Sequence, residues 1–221
     1  MSVGRCTVYT VLAGRSQGTI DRARSAGLID IPFSEIPSRA EWVLSVLPPV
    51  QAHSFAKAFL EARSRLTGES ATRVFVDCNA VSPETVRNIS SLFSGSGVSF
   101  LDASIIGLPP SDNYDPTIYV SADAGDEKYL DEFERFNELG FKVRALRDES
   151  GDASGGVGDA SALKMSYAVR HPPVTCLISI NSCVENQGIS KGITGLFSTM
   201  ILGMKNLLWI HRPPIWTDID L

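Results

Sequence analysis

The sequence predicts an α/β fold: a doubly wound, mostly parallel sheet over residues 1–147, followed by a shorter helical part. Three observations predict it. Short apolar, β-branched runs alternate with segments of helical period, which requires crossover connections and helices on both faces of a sheet. Glycine or proline closes many of these segments, at Gly14, Gly27, Pro48-Pro49 and Gly140. Of the 221 residues 43% are hydrophobic, enough to build a sizeable core.

The elements follow in order. Residues 7–12 (TVYTVL) form a strand, and 17–26 a short helix with Ile20 and Ala23 inward and Gly27 as its stop. Residues 42–47 (WVLSVL) form the next strand. The helix after it carries Ala52, Phe55, Ala56, Phe59 and Leu60, an i, i+3, i+4, i+7, i+8 stripe. Residues 73–77 (RVFVD) are a third strand, and Ser82-Pro83-Glu84 is an N-cap, an N1 proline and an acidic first turn before Val86, Ile89 and Phe93. Strands at 98–102, 117–121 and 141–146 complete the sheet, with a helix over 126–139 burying Tyr129, Phe133 and Phe136. Residues 148–159 (DESGDASGGVGD) form a linker. Residues 160–221 form a helical part, interrupted over 169–187 by Pro172-Pro173 and a strand-like TCLISI; its tail has no clear period.

Charge and composition exclude several functions. A net charge of −5 argues against a general binder of nucleic acid or anionic membrane. Cys6, Cys78, Cys176 and Cys183 fit reduced thiols of a cytoplasmic protein, not a disulfide framework. No apolar run approaches the roughly 20 residues of a membrane helix, and the first residues form no secretory leader. His53, His171 and His211 form no metal or triad pattern, so no metal is expected.

In an open α/β sheet, ligands bind beyond the carboxyl ends of the strands. Here those ends carry Arg15-Ser16, Pro48-Pro49, Asn79 and residues 104–107. A guanidinium and a hydroxyl after a strand, with no carboxylate between, suit the 2′-phosphate of NADP better than the ribose of NAD.

Four segments, 44–49 (LSVLPP), 76–83 (VDCNAVSP), 101–110 (LDASIIGLPP) and 161–168 (SALKMSYA), resemble the β-hydroxyacid dehydrogenases, in particular the 6-phosphogluconate-dehydrogenase-like branch. The resemblance implies an NADP-binding Rossmann-like domain, then an all-helical domain that completes the substrate site and, where complete, the homodimer. It implies hydride transfer between a small β-hydroxy acid and the nicotinamide. Lys164 occupies the place of the family's acid/base lysine. Arg15 and Ser16 fall at the 2′-phosphate, Leu47, Pro48 and Asn79 beside the nicotinamide, and Ser104, Gly107 and Lys191 at the substrate. Two positions depart from the family pattern: Ala168 stands for an asparagine and Ile106 for a serine that holds a substrate carboxylate.

Two anomalies complete the picture. No Gly-x-Gly-x-x-Gly is present, and residue 1 lies just before what looks like the second strand, as though the first βα unit were missing. Without those glycines the pyrophosphate loses its anchor, so weak or no NADP binding is expected. Residues 169–187 begin with valine and end with glutamine, whose codons can supply the two ends of an intron. Removing these 19 residues in frame joins SALKMSYA to GISKGITGL as one helix, so the segment is expected to be a retained intron. A transcript carrying it as the dominant form would show a genuine insertion instead. The alternative to an impaired oxidoreductase is a non-catalytic remnant acting as a binding module.

Overall fold

The computed structural model describes residues 6–108, 113–147, 155–170 and 208–211, the last four and residues 169–170 by their backbone only. Eight strands share one sheet: β1 (Thr7–Thr10), β2 (Ile29–Asp30), β3 (Trp42–Ser45), β4 (Val74–Asp77), β5 (Ser99–Ile106), β6 (Thr117–Ser121), β7 (Val143–Ala145) and β8 (Leu208–His211). The helices are α1 (Gln17–Ser25), α2 (Ile36–Arg39), α3 (Ala52–Ser64), α4 (Pro83–Ser91), α5 (Lys128–Glu134) and α6 (Asp159–Arg170).

The spatial order is β2-β1-β8-β3-β4-β5-β6-β7. Five strands, β2, β1, β3, β4 and β5, run the same way, and β6 and β7 return antiparallel beyond β5. The five parallel strands follow the 3-2-1-4-5-6 order of a doubly wound nucleotide-binding sheet, with β1 in second place. The first place, between β1 and β3, is held by β8. It pairs antiparallel with both, Tyr9 and Val43 each opposite Trp209. The tail without a clear period thus contributes a strand at the sheet's centre.

Alternation along the strands divides the core in two. On one face Trp42, Leu44, Val76 and Leu101 pack with Ala23 of α1 and with Leu130 and Phe133 of α5. On the other, Val43, Phe75 and Phe100 meet Ile36 of α2, Ala56 and Phe59 of α3, and Val86 and Ile89 of α4. The stripes expected on these helices are the faces they bury. Ser82 caps α4 as its hydroxyl accepts from Thr85 N at 3.1 Å, with Pro83 at the first helical position. Gly140 ends the turn after α5 in the left-handed conformation, φ 92°.

The described end of the expected linker, residues 155–158, is tied down. Val157 N donates to Asp123 Oδ1 at 2.8 Å, and Arg87 Nε to Val157 O at 3.1 Å. These bonds fix where α6 begins. The expected insertion at 169–187 and the helix from residue 188 lie outside the described residues, except that the backbone of 169–170 continues α6.

Candidate functional site

Because β1, β3, β4 and β5 are parallel, their carboxyl ends meet one edge of the sheet. Phe75 and Asp77 of β4 alternate onto the face that α3 and α4 cover, as do Phe100, Asp102 and Ser104 on β5, and Asn79 follows just beyond the end of β4. The register sets Asp77 beside Asp102. Two buried carboxyls on neighbouring strands repel unless other groups bind them.

Asp102 is bound by α6. Its Oδ2 accepts from Gly158 N at 2.9 Å and Ser161 N at 3.0 Å, and its Oδ1 accepts from Ser161 Oγ at 2.8 Å. Ser121 Oγ on β6 donates at 3.4 Å. The carboxylate therefore satisfies orphan amide donors of a helix N-terminus, where the helix dipole also favours negative charge. Burial raises the Asp102 carboxyl above its ordinary range, and these bonds offset only part of that rise.

Lys164 lies three residues beyond Ser161, on the same face of α6. It is buried, 7% exposed, and among the described residues it has no ion-pair partner within 4.0 Å. Burial lowers its proton affinity against the opposing pull of Cys78, Asp77 and Asp102. Burial also pushes the Cys78 thiol up, leaving it neutral at neutral pH, so the two carboxyls carry that pull. Asp77, 1% exposed, is pushed up to about 7, first by burial and then by Asp102, against its bonds to Asn79 and the Lys164 charge.

Asn79 is buried with its amide fully engaged. Its Nδ2 donates to Ser45 Oγ at 2.9 Å and Asp77 Oδ1 at 2.5 Å, while its Oδ1 accepts from Leu47 N at 2.5 Å. It pins the end of β3 to that of β4 and so shapes the Leu47-Pro48 turn from beneath. Arg15 is partly buried, and Ser16 caps α1 through Thr19 N at 3.4 Å. These two sit on the far side of β8 from Leu47 and Asn79. Ser104 is fully buried, and its hydroxyl has no partner among the described residues. Lys191 lies outside the described residues.

Gly107 adopts φ 137°, and a Cβ there would collide with the Tyr114 hydroxyl, which accepts from Leu108 N at 3.2 Å. Gly107→Ala is therefore expected to cost about 1–3 kcal/mol of stability, read from the urea midpoint at constant slope. Tyr114, Asp77 and Asp102 were not singled out from sequence. The signal available was that two successive apolar strands each end in, or pass through, an aspartate near the ligand edge.

No family model and no curated protein matches the chain. Solved structures do. A conserved protein of unknown function, described as structurally similar to 3-hydroxyacid dehydrogenases, is 30% identical over 80% of this chain and 59% of its own, with a TM-score of 0.56. This likeness supports placing the chain with the 6-phosphogluconate-dehydrogenase-like β-hydroxyacid dehydrogenases that its sequence resembles. Two further structures share this fold. They are a conserved hypothetical protein from Sinorhizobium meliloti (24% identity, 76% of this chain and 50% of that one, TM-score 0.52) and the imine reductase of Streptomyces aurantiacus (15%, 77% and 56%, TM-score 0.51). The chain spans between half and three-fifths of the length of these structures. No helix among its described residues is long and apolar enough to cross a membrane.

Proposed function

We propose that the chain carries the acid/base lysine and part of the cofactor site of an NADP-dependent oxidoreductase that acts on a small β-hydroxy acid. One observation carries this: α6 is bolted to the ligand edge by Asp102, and that bolt delivers a buried lysine without an ion-pair partner among the described residues. A buried amine of lowered proton affinity is suited to take a hydroxyl proton and return it. Ser104 and Gly107 lie at the substrate side, and Lys191 is assigned there from sequence. In a complete helical part, a second copy would complete the site.

The fit to the dinucleotide differs along its length. Arg15 and Ser16 suit its 2′-phosphate, and Leu47, Pro48 and the Asn79 latch suit its nicotinamide end. A fold neighbour 12% identical to this chain, the imine reductase of Aspergillus terreus, was solved with NADPH4. For the pyrophosphate the described residues supply no glycine-rich turn between a central strand and a helix, because β8 runs antiparallel in that slot. That mismatch favours a second reading, a binding module of the same fold without turnover.

Calorimetry of the purified chain decides between them. Weak NADPH binding, on the order of millimolar, lost in Arg15→Ala and absent for NADH, supports the oxidoreductase. No heat with either nucleotide at millimolar concentration sinks it in favour of the module.

A further inference from the structure

We propose that Tyr114 is a substrate-binding residue, its hydroxyl donating a hydrogen bond to a carboxyl oxygen of the hydroxy acid. The class of ligand rests on the oxidoreductase reading above. The choice of residue rests on the loop that follows β5.

β5 runs past the carboxyl end of its neighbour. Its register with β4 ends at Asp102, yet its pairing with β6 continues to Ile106, opposite Thr117. The helix that carries Lys164 is fastened to this same strand at Asp102. The turn after Ile106 therefore stands at the ligand edge, and Tyr114 is seated on it. Its Oη accepts from Leu108 N at 3.2 Å. Its hydroxyl end also lies against Gly107, where a Cβ would overlap the oxygen and come within 3.2 Å of Cζ. Glycine at φ 137° is what allows so close a seat.

A phenol hydroxyl carries one proton and two lone pairs, and the Leu108 bond uses only a lone pair. Among the described residues the Tyr114 proton has no acceptor, and the side chain is 39% exposed. The oxygen is thus fixed in place while its proton is free for a ligand, so little ordering remains for binding to cost. The rest of this turn has little to offer a carboxyl group. Ile106 and Leu108 are apolar, Gly107 has no side chain, and the Leu108 amide is already engaged. Ser104, two residues before Ile106 on the same strand face, holds the other hydroxyl without a partner. Tyr114 therefore returns to the turn the hydroxyl that Ile106 lacks, from the far side of the loop.

Nitrogen-15 NMR of the full chain, titrated with 3-hydroxypropanoate as the smallest β-hydroxy acid, tests this without any turnover. The Gly107 and Leu108 amide signals are expected to shift and to saturate, with a dissociation constant on the order of millimolar. Propan-1-ol, which lacks the carboxyl group, is expected to leave them in place. Tyr114→Phe keeps the ring, and water can replace the acceptor of the exposed Leu108 amide, so the variant is expected to fold. It should bind the acid about 10- to 100-fold more weakly, the usual loss for a hydrogen bond to a charged group. Should it fail to fold, Gly107→Ala, which drives the hydroxyl off its seat, takes its place with the same expected loss. No saturable shift in the parent up to about 50 mM, equal binding in the variant, or an equal response to propan-1-ol overturns the assignment. NADPH calorimetry on the same samples separates the two ideas. Acid binding that depends on Tyr114 without nucleotide binding keeps the residue and removes the oxidoreductase; nucleotide binding without it does the reverse.

Discussion

Asp102→Ala is expected to lower the unfolding free energy by about 3–5 kcal/mol and to release the first turn of α6. The substitution removes a carboxylate that accepts from two amides and two hydroxyls, all in the buried junction between β5, β6 and α6. Gly158 N and Ser161 N would then be left without an acceptor where water does not enter, at roughly 1–3 kcal/mol each. Asp102→Asn keeps the volume and one carbonyl, so it should cost less, about 1–2 kcal/mol. Urea unfolding gives the free energies, and amide exchange at Gly158 and Ser161 reports the junction itself. A loss below 1 kcal/mol with unchanged exchange would mean that other contacts hold the helix.

Lys164→Met is expected to move activity and stability in opposite directions. Any oxidation of a β-hydroxy acid by the chain should fall by about 10²- to 10⁴-fold, the usual range for a lost acid/base, with nucleotide affinity unchanged. Stability should meanwhile rise by about 1 kcal/mol or more, because an apolar side chain of similar shape replaces a buried amine that lacks an ion-pair partner among the described residues. Few substitutions have that paired signature, and those that do mark groups kept for chemistry at the expense of packing. If Lys164→Met instead destabilises the chain without touching turnover, the lysine is structural.

Stability should also depend on pH through Asp77. Its folded value of about 7 lies above the ordinary carboxyl range, so the folded state binds more protons than the unfolded chain between about pH 4 and 7. The contribution is complete below pH 4 and is lost as pH rises through 7. Subtracting the unfolding profile of Asp77→Asn from that of the parent should expose this falling limb, and a flat difference would contradict it.

Much of this was legible in the chain because local rules decided it. The apolar stripes of α3, α4 and α5, the Ser82 cap and the Gly140 stop are written within a few residues of where they act. The shared carboxyl edge followed from the strands being parallel, and the helical placement of Lys164 from the segment around it. What could not be read depends on distant partners. Asn79 was placed correctly at the edge, but its amide points to Ser45 and Leu47, more than 30 residues earlier. The pairing of Asp77 with Asp102 comes from strand register, which no local spacing encodes. Tyr114 meets Gly107 only once β5 turns toward β6. β8 is the extreme case, because a segment without helical or strand period fills a place created by strands near the other end of the numbering.

That last arrangement bears on how the molecule is made. β1 and β3 can each be synthesised and twisted beside their own neighbours, β2 and β4, as two separate half-sheets. Their union waits for β8, the last of the described strands in chain order, and its pairings are the most distant in sequence of any in the described sheet. Such contacts raise contact order and slow folding, and they leave inward strand edges open to wrong partners in the meantime. The two half-sheets should therefore form early and join late, so for this chain the centre of the domain is the last part to be built.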